Sequence, residues 1–332
     1  MPPRRLAVVA FGGNALIRRG EEGTQTEQIE NSDRLAKRLV LVLEEGYDLL
    51  LVHGNGPQVG NILIQVEEAV TKVPPLSLDV CVAQSEGSIG YLLGRSLANA
   101  LSAKRIKREV VCFVTEVLVD RRDPGFRKPT KPIGPFYTKY RAEYLMKRME
   151  WLMVEDSGRG YRKVVASPRP KKVLSLPAIR DGLKQGWVVI AGGGGGIPVY
   201  RNDEGRLKGV EALVDKVHTA GLLACEMKAD LFVILTGVGH VYLNFGRPDQ
   251  VRAERLTVSD ARHHLREGQF PAGSMGPKIE TAVAFAEKVG NEVLITSVDR
   301  MREALAGKSG TRIVPDSSST SVPAKKRNGR KR

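Results

Sequence analysis

Between Trp187 and Pro198 the chain reads WVVIAGGGGGIP, an apolar β-branched run followed by five consecutive glycines. Trp187-Val188-Val189-Ile190-Ala191 carries no charge and has the composition of a buried strand. Gly192 to Gly196 then removes every side chain where a strand of a parallel sheet would leave the sheet. Ligands of open α/β sheets bind in the crevice outside the carboxyl ends of the strands. Glycines there accept positive φ and let backbone N–H groups approach an anion unobstructed. A flexible linker is the alternative, but linkers seldom follow a fully apolar strand. The stretch is read as a phosphate-facing loop.

The same unit recurs along the chain. Leu6–Ala10 runs into Phe11-Gly12-Gly13-Asn14, Asp48–Val52 opens onto His53-Gly54-Asn55-Gly56-Pro57, and Leu231–Thr236 ends at Gly237-Val238-Gly239. Helical spacing joins them: Ile29, Leu35, Leu39 and Leu43; Ser77 to Ala103; Pro177 to Gln185; Leu213, Val217, Ala220, Ala224 and Met227; Ile279, Val283, Ala286 and Val289; Val298 to Ala306. Val110 to Val119 reads as one strand, Val199 to Leu207 as a hairpin, and Val293–Ile295 and Thr311–Val314 as further strands. Gly87, Gly90, Gly94 and Ala98 predict close helix–helix packing, within the chain or across a dimer. Strand, glycine turn and helix in alternation predict an α/β fold, a mostly parallel sheet with helices on both faces. Arg121–Tyr140 departs from this pattern with four prolines. It is expected outside any core, in a protruding insertion over about 121–165 with a helix from Tyr140 to Trp151.

The 332 residues suffice for one large α/β domain or two ordinary ones. No apolar run approaches the roughly 20 residues that span a bilayer. Cys81, Cys112 and Cys225 are scattered, without a C-x-x-C pair or a metal-ligand spacing, which predicts a reducing cytoplasm and no zinc site. Net charge is +15, of which the tail 316–332 contributes +5. That Ser/Pro/Lys-rich tail reads as disordered, with nonspecific contact to nucleic acid as the extent of its polyanion chemistry. The remaining positive charge suits a small polyphosphate substrate.

Four glycine turns at strand ends can surround an elongated, multiply charged ligand with N–H groups and helix N-termini. Two nucleotide signatures are excluded: Ile197 replaces the last glycine of G-x-G-x-x-G, and Arg302 the first of a Walker loop ending at Gly307-Lys308-Ser309. His53, at a strand end, is either a base or a hydrogen-bonded structural residue, the commoner case.

FGGNAL at Phe11–Leu16, HGNGPQVG at His53–Gly60, TKPIGPFY at Thr130–Tyr137, GGGGIPV at Gly193–Val199, VDK at Val214–Lys216 and GSMGPK at Gly273–Lys278 together resemble carbamate kinase, a branch of the amino-acid kinase superfamily. The resemblance runs in order over about residues 6–315. It implies one domain over 1–315, a three-layer αβα sandwich of about eight strands, with 121–165 as a mobile lid and a homodimer as the assembly. It implies reversible phosphoryl transfer between ATP and carbamate, giving ADP and carbamoyl phosphate with Mg²⁺. By the same resemblance Gly12, Gly13, Asn14, Gly54, Asn55 and Gly56 contact the carbamoyl phosphate side, joined by Gly193 and Gly194 of the glycine run. Thr236, Gly237, Val238 and Met275 line the nucleotide side, and no metal-ligating side chain is nominated.

Carbamate is already an anion, so its oxygen attacks without a general base. The protein must hold two anions in line and neutralise charge on the transferred group. Lys216 and Lys278 are the expected phosphate clamps, with Asp215 orienting lysines and Lys131 (or Lys128) reaching in from the lid. A lysine at a helix N-terminus opposes the dipole, which favours a functional reason for Lys278. Asp215–Lys216 by itself would read as a surface ion pair. Two positions depart from the resemblance: Val217 where a second carboxylate is usual, and Gly237 where relatives often carry an acid. Two alternatives are another acyl-phosphate-forming amino-acid kinase and a nucleotide- or polyanion-binding protein without turnover.

Overall fold

A computed structural model describes residues 4–18, 20–156, 158, 160–271 and 273–316, with Asn14 described by its backbone alone. Apart from Asp316, the basic tail lies outside the described residues. β1 (Arg5–Phe11) leads to α1 (Gln25–Glu44), which opens with Thr24 and Glu27 accepting each other's backbone N–H. β2 (Tyr47–His53) lies parallel to β1, with Ala7 opposite Leu49. α2 (Gly56–Ala69) carries Pro57 in its first turn, where no N–H is missed, and α3 (Leu78–Ala103) follows.

The single strand expected over 110–119 is two: β3 (Val110–Cys112) and β4 (Glu116–Val119), in different sheets. Thr115 makes the break. Its N–H donates to Glu86 (2.7 Å) and its carbonyl accepts from the Ile197 N–H (2.8 Å), which draws the chain out of the first sheet and into the second.

The insertion holds α4 (Pro124–Arg127), β5 (Lys131–Tyr137), α5 (Lys139–Met149), β6 (Met153–Glu155) and β7 (Tyr161–Val165). Its proline-rich half, expected outside any core, does enter one: Ile133 is buried with Val59, Leu78, Leu145 and Trp151. The strand order is β5-β7-β6, so Pro132 and Pro135 sit on an edge strand, where proline is tolerated.

β8 (Pro170–Val173), α6 (Leu176–Lys184), β9 (Val188–Ile190), β10 (Ile197–Arg201) and β11 (Leu207–Gly209) return to the body. β10 and β11 form the expected hairpin, extended by β4 and β8. α7 (Lys216–Glu226) is capped by Asp215, so Leu213, expected on its apolar face, precedes it and instead donates its N–H to Ala166 O. β12 (Leu231–Thr236), β13 (Val241–Leu243), β14 (Val251–Ala253), β15 (Arg255–Thr257), α8 (Val258–Arg266) and α9 (Gly276–Val289) come next. β16 (Val293–Ser297), α10 (Met301–Leu305) and β17 (Thr311–Val314) complete the described chain.

The main sheet has eight strands in the order β15-β17-β16-β12-β1-β2-β9-β3, antiparallel only between β16 and β17. Alternation along β1 sends Val8 and Ala10 into a core with α7 and α9, and Ala7, Val9 and Phe11 into a core with α1 and α3. Helices therefore cover both faces, as the pattern predicts. The small-residue row of α3, expected to pack against a helix, seats strand β3 instead: a Cβ on Gly90 would lie 2.2 Å from Cys112 Sγ and one on Gly94 4.0 Å from Val110, while Gly87 and Ala98 stay exposed.

Candidate active site

β12, β1, β2 and β9 are consecutive parallel neighbours, so the four glycine turns that follow them share one edge of the sheet. The turns touch: Gly54 N–H donates to Phe11 O (2.7 Å). Gly192, Gly194, Gly195 and Gly196 all have positive φ (65°, 68°, 107° and 85°), a series that side-chain-bearing residues do not sustain. A Cβ on Gly195 would stand 2.3 Å from Val214 O, so the glycine run presses directly on the segment that precedes α7.

A cavity of about 450 Å³ opens there, walled by Gly54, Asn55, Gly56 and Gly194 on the turn side and by Asp215, Lys216, Lys131 and Arg162 opposite. Lys216 is the first residue of α7, and its stem crosses Gly54, where a Cβ would lie 2.8 Å from Lys216 Cδ. Asp215 accepts the Val217 N–H through Oδ1 (2.8 Å) and holds Oδ2 3.9 Å from Lys131 Nζ. Lys131 also donates to Val214 O (3.1 Å), tying the insertion to the start of α7.

Burial works against the Asp215 anion, but Lys131, Lys216 and the Val217 N–H overcome it and pull its pKa down to about 2. Burial lowers the Lys131 pKa, with Asp215 opposing. Lys278 is lowered by burial and by the positive charge of Lys216, again with Asp215 opposing, so it stands within electrostatic reach of both. Its Nζ donates to Ser274 O (2.6 Å). Asp215 thus pairs with Lys131 and lies within electrostatic reach of Lys216 and Lys278, near a sheet edge rich in backbone donors.

The other nominated residues fall in three places. Gly13 packs on the start of α2, outside the cavity lining, where a Cβ would meet Pro57 Cδ at 2.8 Å, and the Gly12 carbonyl accepts the Ala15 N–H (2.9 Å). Gly193 faces away from the cavity, toward His53 Nε2, 2.4 Å from its Cβ position. Thr236 ends β12 and Gly237, Val238, Met275 and Lys278 follow it in the chain, all outside the lining of this cavity. The Thr236 hydroxyl is spent on its own turn, donating to Val238 O (2.8 Å). Lys128 is exposed and outside the lining, which leaves Lys131 as the insertion's lysine at the cavity.

His53 is 1% exposed, beside Gly54 O, and burial lowers its pKa to about 4. It is a neutral structural residue. Val217 is 3% exposed in the core, so the missing carboxylate is a packing residue here. Arg162 escaped the sequence analysis. It lines the cavity, donates to Gly134 O (2.9 Å) and lies 3.6 Å from Asp156, and the alternation of YRKVV on β7 was its only signal.

Amide-lined turns facing cations, with Asp215 as the one carboxylate among the described lining residues and its oxygens turned to Val217 N–H and Lys131, suit the passage of a phosphoryl group between two anions. This is the cleft of a phosphotransferase. The model of the amino acid kinase family matches residues 5–297. The carbamate kinase of Thermococcus kodakarensis is 44% identical over 92% of this chain and 98% of its own length. That of Staphylococcus haemolyticus is 46% identical over 92% of this chain and 98% of its own. A solved structure of carbamate kinase from Giardia lamblia bound to AMP-PNP superposes with a TM-score of 0.89 at 38% identity, covering 95% of this chain and all of that one. The chain belongs to the amino acid kinase family, within its carbamate kinase branch.

Proposed function

We propose that the chain catalyses reversible phosphoryl transfer between ATP and carbamate, with ADP and carbamoyl phosphate on the other side. The observation that carries this is the meeting of Lys131 from the insertion with Asp215 and Lys216 of the body in one cavity under the glycine turns. The acceptor end lies at Gly54–Gly56 and the start of α2, whose N–H groups face an anion favourably. The nucleotide end lies at Thr236–Val238 and Met275, with Lys278 between the two.

Lys216 and Lys278 take the charge that spreads over the transferred group, and Asp215 keeps Lys131 and Lys216 in place without accepting a proton. With its pKa near 2, Asp215 stays ionised throughout the neutral range. The donor set fits a magnesium ion that arrives with the nucleotide: Asp215 is the one carboxylate among the described lining residues, and its oxygens serve Val217 and Lys131. Such an ion would neutralise phosphate charge, held by phosphate oxygens and water, and chelation should stop turnover.

A homodimer is proposed on the exposed face of α3, where Val80 and Tyr91 stand uncovered about three turns apart, near exposed Val114. Free cysteines, and the absence among described helices of one long and apolar enough to cross a membrane, support a cytoplasmic location.

Phosphorus NMR of the chain with ADP, Mg²⁺ and either carbamoyl phosphate or acetyl phosphate tests the proposal. Loss of the carbamoyl phosphate signal with growth of the ATP signals is expected, with acetyl phosphate much slower. Faster consumption of acetyl phosphate would favour the other acyl-phosphate kinase, and no ATP from either would remove the function.

A further inference from the structure

β7 separates two cavities. Arg162 faces the catalytic one, and the next residue, Lys163, points to the opposite side of the strand, into a second cavity of about 530 Å³. The walls of this second cavity come from both parts of the molecule. Phe126, Trp151 and Leu152 belong to the insertion, while Leu63, Leu76 and Leu78 belong to the body.

Lys163 is 7% exposed, and no hydrogen bond or ion pair engages its Nζ among the described residues. The Trp151 ring lies below the ammonium, with Nζ 4.3 Å from the ring centroid. A buried ammonium with no direct ion pair is unfavourable: burial lowers the Lys163 pKa, and the more distant charge of Glu211, then Cys81, only partly opposes it. Glu211 lines the cavity but spends Oε1 on the Leu78 N–H (2.7 Å), and Glu150 is an exposed wall residue.

We propose that this second cavity is a ligand site for a small amphiphilic monocarboxylate, its anion on Lys163 and its apolar body against Trp151 and the leucines. The carboxylate would complete a stack of anion, ammonium and indole. The two glutamates of the wall disfavour multiply charged anions such as phosphate esters, and the apolar walls disfavour small hydrophilic ones. Because the walls are shared between insertion and body, an occupant braces β7, the strand that presents Arg162 to the catalytic side.

Trp151 and Trp187 are the only tryptophans, so a Trp187→Phe protein reports this wall by fluorescence. Titration with hexanoate should change the emission saturably, with 1-hexanol and hexyl phosphate each at least about tenfold weaker. Lys163→Gln should weaken hexanoate by about tenfold and leave hexanol unchanged. Absence of a saturable change at millimolar hexanoate, or hexanol binding as well as hexanoate to the Lys163 protein, would overturn the proposal. The comparison of ligands on that protein needs no lysine variant and no catalysis, so neither a folding defect nor a failure of the kinase assignment obscures the outcome.

Discussion

At Gly54 a single hydrogen stands where a Cβ would lie 2.7 Å from Gly13 N and 2.8 Å from Lys216 Cδ. Gly54→Ala should displace the Gly13 backbone as well as the lysine stem, lowering kcat/KM by at least about a hundredfold, the cost of roughly 1 Å of misplacement. Steady-state kinetics beside circular dichroism checks this, and an unchanged kcat/KM would contradict it. Glu86, fully buried behind the glycine run, offers a second test. Its Oε2 accepts the Thr115 N–H, its Oε1 has no partner, and burial raises its pKa from 4.5 to about 8. Below 4.5 both folded and unfolded chains keep the proton, and the stabilising contribution is complete. As pH rises toward 8 the unfolded chain has released the proton that the folded one retains, so stability declines. Because buried His53 and half-buried His218 titrate in the opposite sense, the test is the difference between the parent and Glu86→Gln: between about pH 5 and about pH 8 urea midpoints should show the parent losing roughly 1–4 kcal/mol relative to the variant. Lys216 is singled out by the family resemblance, since Asp215–Lys216 alone reads as a surface ion pair, and Lys278 also by its place in the first turn of a helix. Arg162 and Glu86 were not legible: one lies inside a short strand and the other inside a long helix, and only tertiary contacts give them a role.

The start of α7 combines two functions in Asp215, a helix cap and a lysine holder. These can be separated by substitution. Asp215→Asn keeps a capping oxygen but loses the charge that the lysines favour, so stability should fall by roughly 1–2 kcal/mol while kcat falls by tenfold or more. Asp215→Ala should lose about 1 kcal/mol in addition. Equal destabilisation by both, measured by thermal unfolding, would contradict this division. Long amphipathic helices and apolar strands of the main sheet were readable from periodicity alone. The break between β3 and β4 was not, since the Thr115 partners come from α3 and β10. Nor was β5, because proline content argues against a strand until the edge position is known.

Across the molecule, parallel pairing of β12, β1, β2 and β9 turns four scattered glycine motifs into neighbours, and the 121–165 segment adds Lys131 to the cavity beside them. The sequence predicted this convergence, because strand-turn-helix units in a parallel sheet place all their turns at one edge. Which side chains face the ligand was less legible: Gly193 and Gly194 are adjacent, yet only Gly194 lines the cavity. The central claim is that lysines and backbone donors, without a base, stabilise a phosphoryl group in flight. Its most direct test is the initial rate of ATP formation from ADP and carbamoyl phosphate, followed by luciferase, for the parent chain, Lys216→Ala and Lys278→Ala. The account predicts rapid ATP formation by the parent and a loss of at least about a hundredfold in each folded variant. Rates in both variants equal to the parent's would contradict it.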